Sequence, residues 1–581
     1  MHESRSPQIR IKSDEEKETG RINYDLVRSW LSICEIEHTN LCRSTPAQLE
    51  LFLIDVSTRC IIKAPKDCQY LALSYVCGKT LPNLEGLTLE TWRQDLGTSH
   101  ERLPAVVPRT IEDAMQVVRE LNHKYLWVDA YCISQYDASQ RAYYIRHMDQ
   151  IYEGAYLTIV ALSGDDSDVG LAGVSRPLTC WPQTAVKTTY GTLIVTEVKR
   201  IRSVFRKSRW ILRGWTLQEG TLSRRCLCFE QDTYFLWCRE ELFSEVAKVD
   251  SGPDRFKWSS SPSIRPYCFG LDFGRGEFTM VEFQNMLQAY TARQFTLASD
   301  ALNAVTGMLN RVSRLGGVKF SYGMPTEPEF VCSLLWTAEN KVRLRRRPGF
   351  PSWSWLGWEG KITCTSYRVI PPFKADAFRK ATQVHLPPGV FWPGILGVGV
   401  AGQYQESLCA RQVEAVARIE YPTKLDESQE LRLTTARAIF PLVLLAHDGD
   451  DLPYEHERAV GDFWTMIDND GEGIGKRQNC RNYYQMRCAD AFRVEPEISA
   501  ELIKVSSAAE FLLMYHWVEA HEDGKLKEPH EWVEYGRIGD VVSAILVIRN
   551  SDKTARRVAL VTMDYKYWIQ GNPQPVEIVL V

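Results

Sequence analysis

Trp215 and Glu219 stand four residues apart, so on a helix they share one face. A carboxylate beside an aromatic wall can do chemistry. The ring stacks on a planar heterocycle, and the carboxylate, in a water-poor setting, stabilises positive charge that develops as a bond to a sugar breaks. The competing reading makes Glu219 a structural carboxylate paired to Arg213, Arg224 or Arg225. Asp129 closes an apolar run, where an acidic residue can orient ribose hydroxyls or can simply hold the turn into Tyr131 and Cys132. Ser74 and Tyr75 close another such run, and Tyr75 and Trp127 are either pocket walls or core aromatics.

Other chemistry is poorly served. Cys132 as a nucleophile needs a histidine to lower its pKa, and His123 and His147, the nearest in sequence, carry no protease signature. Ser74 and Ser163 lack the G-x-S-x-G elbow of a hydrolase triad. The 16 cysteines are irregularly spaced with no C-x-x-C pair. Cys226 and Cys228 share a strand face but have few histidines near them, so no metal site is expected, and free, mostly buried thiols in a reducing compartment are the reading. Gly397, Gly399 and Gly402 satisfy G-x-G-x-x-G, but Pro387, Pro388 and Pro393 spoil the strand that a dinucleotide loop should follow. Asp468-Asn469-Asp470-Gly471 hints at a calcium loop, yet its glycine comes too early and Asn479 stands where a bidentate glutamate belongs.

The elements that must position these residues follow from apolar spacing. Residues 70–76 form a short apolar run ending before Gly78, as a buried strand would. Pro108 opens a helix whose Ile111, Met115, Val118 and Leu121 make one stripe. Residues 125–129 are the next strand; Ile145, Met148, Tyr152 and Ala155 stripe a second helix; residues 157–162 are a third strand. Apolar strands alternating with amphipathic helices predict an α/β fold, a parallel sheet with flanking helices. Ligands of such sheets sit at the carboxyl ends of the strands, which puts Ser74, Tyr75, Asp129 and Ser163 on one rim.

The chain has 581 residues, 44% hydrophobic and 24% charged, with a net charge of -4. These values suit a soluble protein of two to four domains, and no basic field suggests nucleic acid. The short basic run at 343–347 reads as a solvated face. No apolar run approaches the roughly 20 residues of a bilayer span, and the charged start does not resemble a signal peptide, so a cytoplasmic location is expected. Residues 1–20 read as a flexible lead-in. Residues 21–230 read as the chemistry-bearing domain, with its core motifs at 70–225. Residues 231–581 read as a mixed, β-leaning region, strand-like at 442–446 and 541–548 and helical near 279–312.

Four segments in order resemble the HET (heterokaryon-incompatibility) domain of filamentous fungi. They are Ala72-Leu73-Ser74-Tyr75-Val76-Cys77-Gly78; Leu103-Pro104 through Thr110-Ile111-Glu112-Asp113-Ala114; Tyr125-Leu126-Trp127-Val128-Asp129-Ala130-Tyr131-Cys132, leading to Met148 and Tyr152; and Ser208-Arg209-Trp210 through Gly214-Trp215-Thr216-Leu217-Gln218-Glu219. Asp300-Ala301-Leu302-Asn303-Ala304 and Pro351-Ser352-Trp353-Ser354-Trp355 are similar to segments of long HET proteins. One position departs from the family: Cys77 stands where a tryptophan is usual.

The HET domain is remotely similar to the TIR fold, a flavodoxin-like parallel sheet. Some TIR domains cleave NAD with one glutamate that follows the third strand, and Glu219 matches that position by order. The resemblance therefore implies self/non-self recognition and programmed cell death, with Glu219 as the catalytic residue, Ser74, Tyr75, Asp129 and Trp215 binding substrate, NAD as substrate rather than resident cofactor, self-association, and an incompatibility partner protein. The same resemblance also allows a non-enzymatic assembly module in which these side chains only pack.

Overall fold

The apolar runs around Ser74, Asp129 and Ala161 become the middle of one sheet in a computed structural model of the chain. The structure describes residues 20–45, 49–78, 101–178, 208–231, 233–244, 280–326, 333–339, 344–364, 429–440, 496–505, 508–517, 541–564 and 572–581, with short strands and single residues between. The lead-in at 1–20 falls outside them apart from Gln8, Ile9 and Gly20, and so do the glycine-rich stretch at 397–402 and the acidic one at 468–471. The chain divides into two compact units, Met1–Glu277 with Arg293–Gly316, and Phe278–Ala292 with Gly317–Val581.

In the first unit α1 (Tyr24–Glu37) precedes β1 (Phe52–Asp55), β2 (Cys60–Lys63), β3 (Leu71–Ser74) and β4 (Glu101–Arg102). Next come α2 (Arg109–Glu120), β5 (Tyr125–Trp127), α3 (Ala138–Arg146), α4 (Met148–Gly154) and β6 (Leu157–Ala161). Then follow α5 (Gly214–Leu222), β7 (Arg225–Phe229), β8 (Tyr234–Cys238), β9 (Leu242–Ser244), β10 (Arg255–Phe256) and α6 (Asp300–Gly316). The strands form one ten-stranded sheet in the order β10-β9-β8-β7-β6-β3-β5-β1-β2-β4.

Only its centre is parallel: β3 pairs in parallel with β5 and β6, and β6 with β7. Every residue of β3, β6 and β7 is buried, as expected of strands covered on both faces. The flanks are antiparallel, because β1–β2 and β7–β8–β9 are joined by turns too short for a crossover. Counted from β3, the parallel strands run second-first-third-fourth, the flavodoxin-like order. The strand order therefore reverses between β3 and β6, the place where ligands bind in sheets of this kind.

The helices differ from expectation in one place. The stripe of α2 buries Ile111, Met115, Val118 and Leu121 as its spacing predicts. The stripe from Ile145 to Ala155 is not one helix but two, since the chain tightens at His147, whose N–H bonds back to Tyr144 O at 3.0 Å, and restarts as α4. The break aims Asp149 and Glu153 of α4 at α6. Glu153, buried, meets Arg311 at 2.8 Å, Arg224 at 3.2 Å, Arg239 at 3.6 Å and Arg314 at 3.9 Å.

The second unit is β-rich, as expected. Leu431–Phe440 pairs with Ala509–Trp517 and also with Gln574–Leu580, so a seven-stranded sheet curls back onto its own third strand. The runs near 442 and 541 are strands, Leu442–Leu445 and Val541–Arg549. Buried Arg557 lies 3.7 Å over the Trp336 ring and donates to Leu334 O at 2.6 Å. The basic run is not simply a solvated face: Arg346 and Arg347 turn inward, donating at 2.6 Å to Gly357 O and Leu356 O.

Candidate active site

Ser74 ends β3 with its side chain fully buried. Its hydroxyl donates a short hydrogen bond to Glu219 Oε2 and accepts one from Trp210 Nε1 at 2.7 Å. Glu219 reaches it from α5, which begins at Gly214. The last turn of α5 is tied down by Ser223, whose hydroxyl donates to Glu219 O at 2.6 Å and lies 2.6 Å from Thr158 Oγ1 of β6. Glu219 is 8% exposed. Burial pushes its carboxyl up to about 7, against the Ser74 hydrogen bond; Asp129 pushes the same way, and Arg213 and Arg293 oppose it.

Asp129 follows β5 and opens a one-turn helix, its Oδ1 accepting from Ala130 N at 2.7 Å. It thus does serve the turn into Tyr131 and Cys132. It also interacts with the other candidates: the protein around it raises its carboxyl, and the Tyr75 hydroxyl and Arg213 act to lower it. Its surface is nonetheless exposed. Tyr75 is nearly buried, its hydroxyl held far above its ordinary value by burial and by Asp129. Cys77 shares this rim and is influenced by Asp129, Arg213 and Asp166.

Gly78 fixes the rim. Its φ of +66° suits glycine, and a Cβ there would come within 2.4 Å of Asp165 O. The loop after β3 therefore lies flat on the loop after β6, joined by Ser167 N to Cys77 O at 3.0 Å. Ser163 stands in that second loop and accepts from Arg176 Nη2 at 2.7 Å.

Of the residues singled out by sequence, Ser74, Tyr75, Asp129 and Glu219 come together. Trp215 is drawn elsewhere: its Nε1 donates to Asp300 Oδ2 at 3.1 Å, which ties α5 to α6. Trp127 is fully buried and packs edge-on against Tyr152, a core role. Cys132 is buried, with its thiol pushed up to about 12 by burial, which disfavours a nucleophilic thiolate. Two of the three arginines proposed as partners of Glu219 are used otherwise, and the third makes no contact pair with it. Arg224 binds Glu153, Arg225 donates to Tyr156 O at 3.1 Å, and Arg213 acts on Glu219 through space.

Sequence reasoning missed Trp210, Tyr152 and Arg293. Trp210 lay inside a quoted motif but drew no role; its indole N–H orients Ser74. Tyr152 sits beside Glu219, its hydroxyl donating to Leu73 O at 3.3 Å. Arg293 belongs to a segment beyond the expected domain. It donates to Arg213 O at 2.9 Å and Thr216 Oγ1 at 2.8 Å and lies 5.9 Å from the Trp210 ring centroid. Gln294 pairs with Arg213 and Gly214, and the neighbouring Phe295 leaves room for no side chain at Gly214, where a Cβ would fall 1.8 Å from its Cε1. The resemblance noted at 300–304 was the one signal that this segment belongs with the site.

Residues 70–219 match the family model described as heterokaryon incompatibility protein (HET). The matched span starts beside β3 and ends on Glu219, so it takes in Ser74, Tyr75, Asp129, Trp210 and Trp215 and leaves out Arg293 and α6. No curated protein and no solved structure matches the chain. Over residues 70–219, then, the chain carries a HET domain.

Proposed function

We propose that the first unit cleaves NAD to nicotinamide and ADP-ribose, that Glu219 is its catalytic residue, and that loss of NAD is how a heterokaryon-incompatibility response kills the cell. The observation that carries this reading is the placement of Glu219: a desolvated carboxyl at the strand ends, bonded to Ser74, with Asp129 facing the same rim. It is supported by the HET match and by the flavodoxin-like strand order, whose reversal point is where nucleotides bind in such sheets.

The chemistry asks little of the protein. The ribose C–N bond breaks with its electron pair passing to the nicotinamide nitrogen, which leaves as a neutral molecule. The ribosyl cation that remains is stabilised by the Glu219 carboxylate in a site where charges interact strongly. Water adds to the cation and gives its proton to that carboxylate, which a group titrating near 7 accepts and then releases to solvent. Asp129 and Tyr75 hold the ribose hydroxyls at the open rim. Self-association orders the rim, and an incompatibility partner triggers it.

The test is incubation of the purified full chain with NAD, wild type beside Glu219→Gln, with nicotinamide measured by chromatography. Release by the wild type and its loss in the variant bears the proposal out; no release by concentrated wild-type protein overturns it. A second reading, a non-enzymatic assembly module, is favoured by the engagement of Trp215 with Asp300, which takes that ring into the scaffold. It expects the variant to self-associate as the wild type does, with NAD untouched by both.

A further inference from the structure

Away from this site, α1 and the β8–β9 turn bring four ligand-type side chains to one point. Cys34, His38, Cys42 and Cys238 are all buried, and their ligand atoms lie within 4.8 Å of one another. We propose that these four residues bind one structural zinc ion.

The backbone builds three of the four positions. Cys34, His38 and Cys42 follow one another at i, i+4 and i+8. Cys34 lies in the last turn of α1, His38 caps that helix and Cys42 closes the one-turn helix Thr39–Cys42 that follows; His38 N bonds to Cys34 O at 3.1 Å and Cys42 N to His38 O at 3.0 Å, which holds the three close together. Cys238 comes from the end of β8, 200 residues from His38 in sequence, and places its Sγ 3.4 Å from His38 Nδ1. Zinc bonds of about 2.3 Å to sulfur and about 2.0 Å to nitrogen put two tetrahedral ligands roughly 3.5 Å apart. The spacing thus fits one tetrahedral ion, whereas the ligands of an iron–sulfur cluster stand farther from one another. Three thiolates with one imidazole is a set that selects zinc among common divalent ions.

The surroundings are those of a ligand shell. His38 Nε2 lies 3.3 Å from the buried Glu241 carboxylate, which fixes the tautomer that turns Nδ1 towards the sulfurs. Arg225 Nε donates to Cys34 Sγ at 3.2 Å, and Glu241 N to Cys238 Sγ at 3.2 Å. Donors aimed at sulfur favour thiolates. One divalent ion with three thiolates leaves a single negative charge, and buried Arg225 faces it. With four protein ligands the ion has no open position, so its work is to fasten α1 to the antiparallel flank of the sheet.

The experiment is metal analysis of the full chain, purified without chelator and again after denaturation and refolding in zinc or cobalt buffer. About one zinc per chain is expected, released by a mercurial that titrates thiolates, and the cobalt form should show the visible bands of a tetrahedral thiolate site. Cys42→Ser and Cys238→Ser should lose the metal, His38→Cys should keep it as a four-thiolate site, and Cys60→Ser, elsewhere in the chain, should not change it. Glu241→Gln should weaken zinc binding roughly 10- to 100-fold. Wild-type protein that takes up no zinc or cobalt in either preparation, or a disulfide among Cys34, Cys42 and Cys238, overturns the proposal, whether or not the variants fold. So does metal content unchanged in both serine variants.

Discussion

The Ser74 hydroxyl donates to Glu219 across 145 residues of sequence and at the same time accepts the indole N–H of Trp210. One small side chain at the end of β3 therefore sets both the position and the proton affinity of the carboxyl on α5. Removing it acts in two directions at once.

Ser74→Ala takes away the hydrogen bond that lowers the Glu219 carboxyl, so that carboxyl should titrate higher. The acid limb of a pH profile for nicotinamide release should move to higher pH. The Trp210 N–H also loses its acceptor in a dry setting, at a cost of about 1–3 kcal/mol in stability. A profile that stays in place, or moves towards acid, contradicts the assigned role of the bond.

Stability should carry the signature of Glu219 as well. Its folded carboxyl titrates near 7 against 4.5 when free. Between those values the folded chain holds a proton that the unfolded chain releases, so this group's contribution is fully present below pH 4.5 and is lost as pH rises through 7. The loss is on the order of 3 kcal/mol. Urea melts at several pH values should show it in wild type and not in Glu219→Gln. Parallel curves for the two proteins would place Glu219 in contact with water.

At Gly214 the constraint is steric. A methyl group there meets Phe295, so Gly214→Ala should destabilise the first unit by about 1–3 kcal/mol and loosen the 293–295 segment from α5. Adding Phe295→Ala should recover part of that loss, a coupling that a double-mutant cycle measures. Simple additivity would mean the two residues do not touch.

Glu153 balances arginines from three different parts of the first unit. Glu153→Gln leaves Arg224, Arg239 and Arg311 with an uncompensated excess of buried charge, and a loss of about 3–5 kcal/mol is expected. Lys63→Ala, in the exposed pair with Glu50, should cost much less. Thermal melts that rank the two variants in the opposite order would show that the network is bound differently.

The parallel centre of the sheet was legible because β3, β5 and β6 are buried apolar runs separated by helices, and the rule of strand ends then named Ser74, Tyr75 and Asp129. The antiparallel flanks were not legible, since a short turn after Phe229 or Cys238 decides direction and apolar content does not. The break at His147 leaves the apolar stripe intact on both sides, so periodicity passes over it. Arg293 and Phe295 carry no local pattern at all; their role exists only where α5 and the chain before α6 meet. The spacing of Cys34, His38 and Cys42 was readable in principle, but the fourth member lies at the far end of the domain.

The clamp on α5 decides how the domain must be handled at the bench. A polypeptide cut where the family match stops would display Glu219 on a terminal helix stripped of Arg293, Phe295 and Asp300, its Trp215 bare and its first turn unpinned. Such a fragment would report on a damaged site, so inactivity in it carries no weight against the intact chain. The smallest piece worth assaying runs through Gly316.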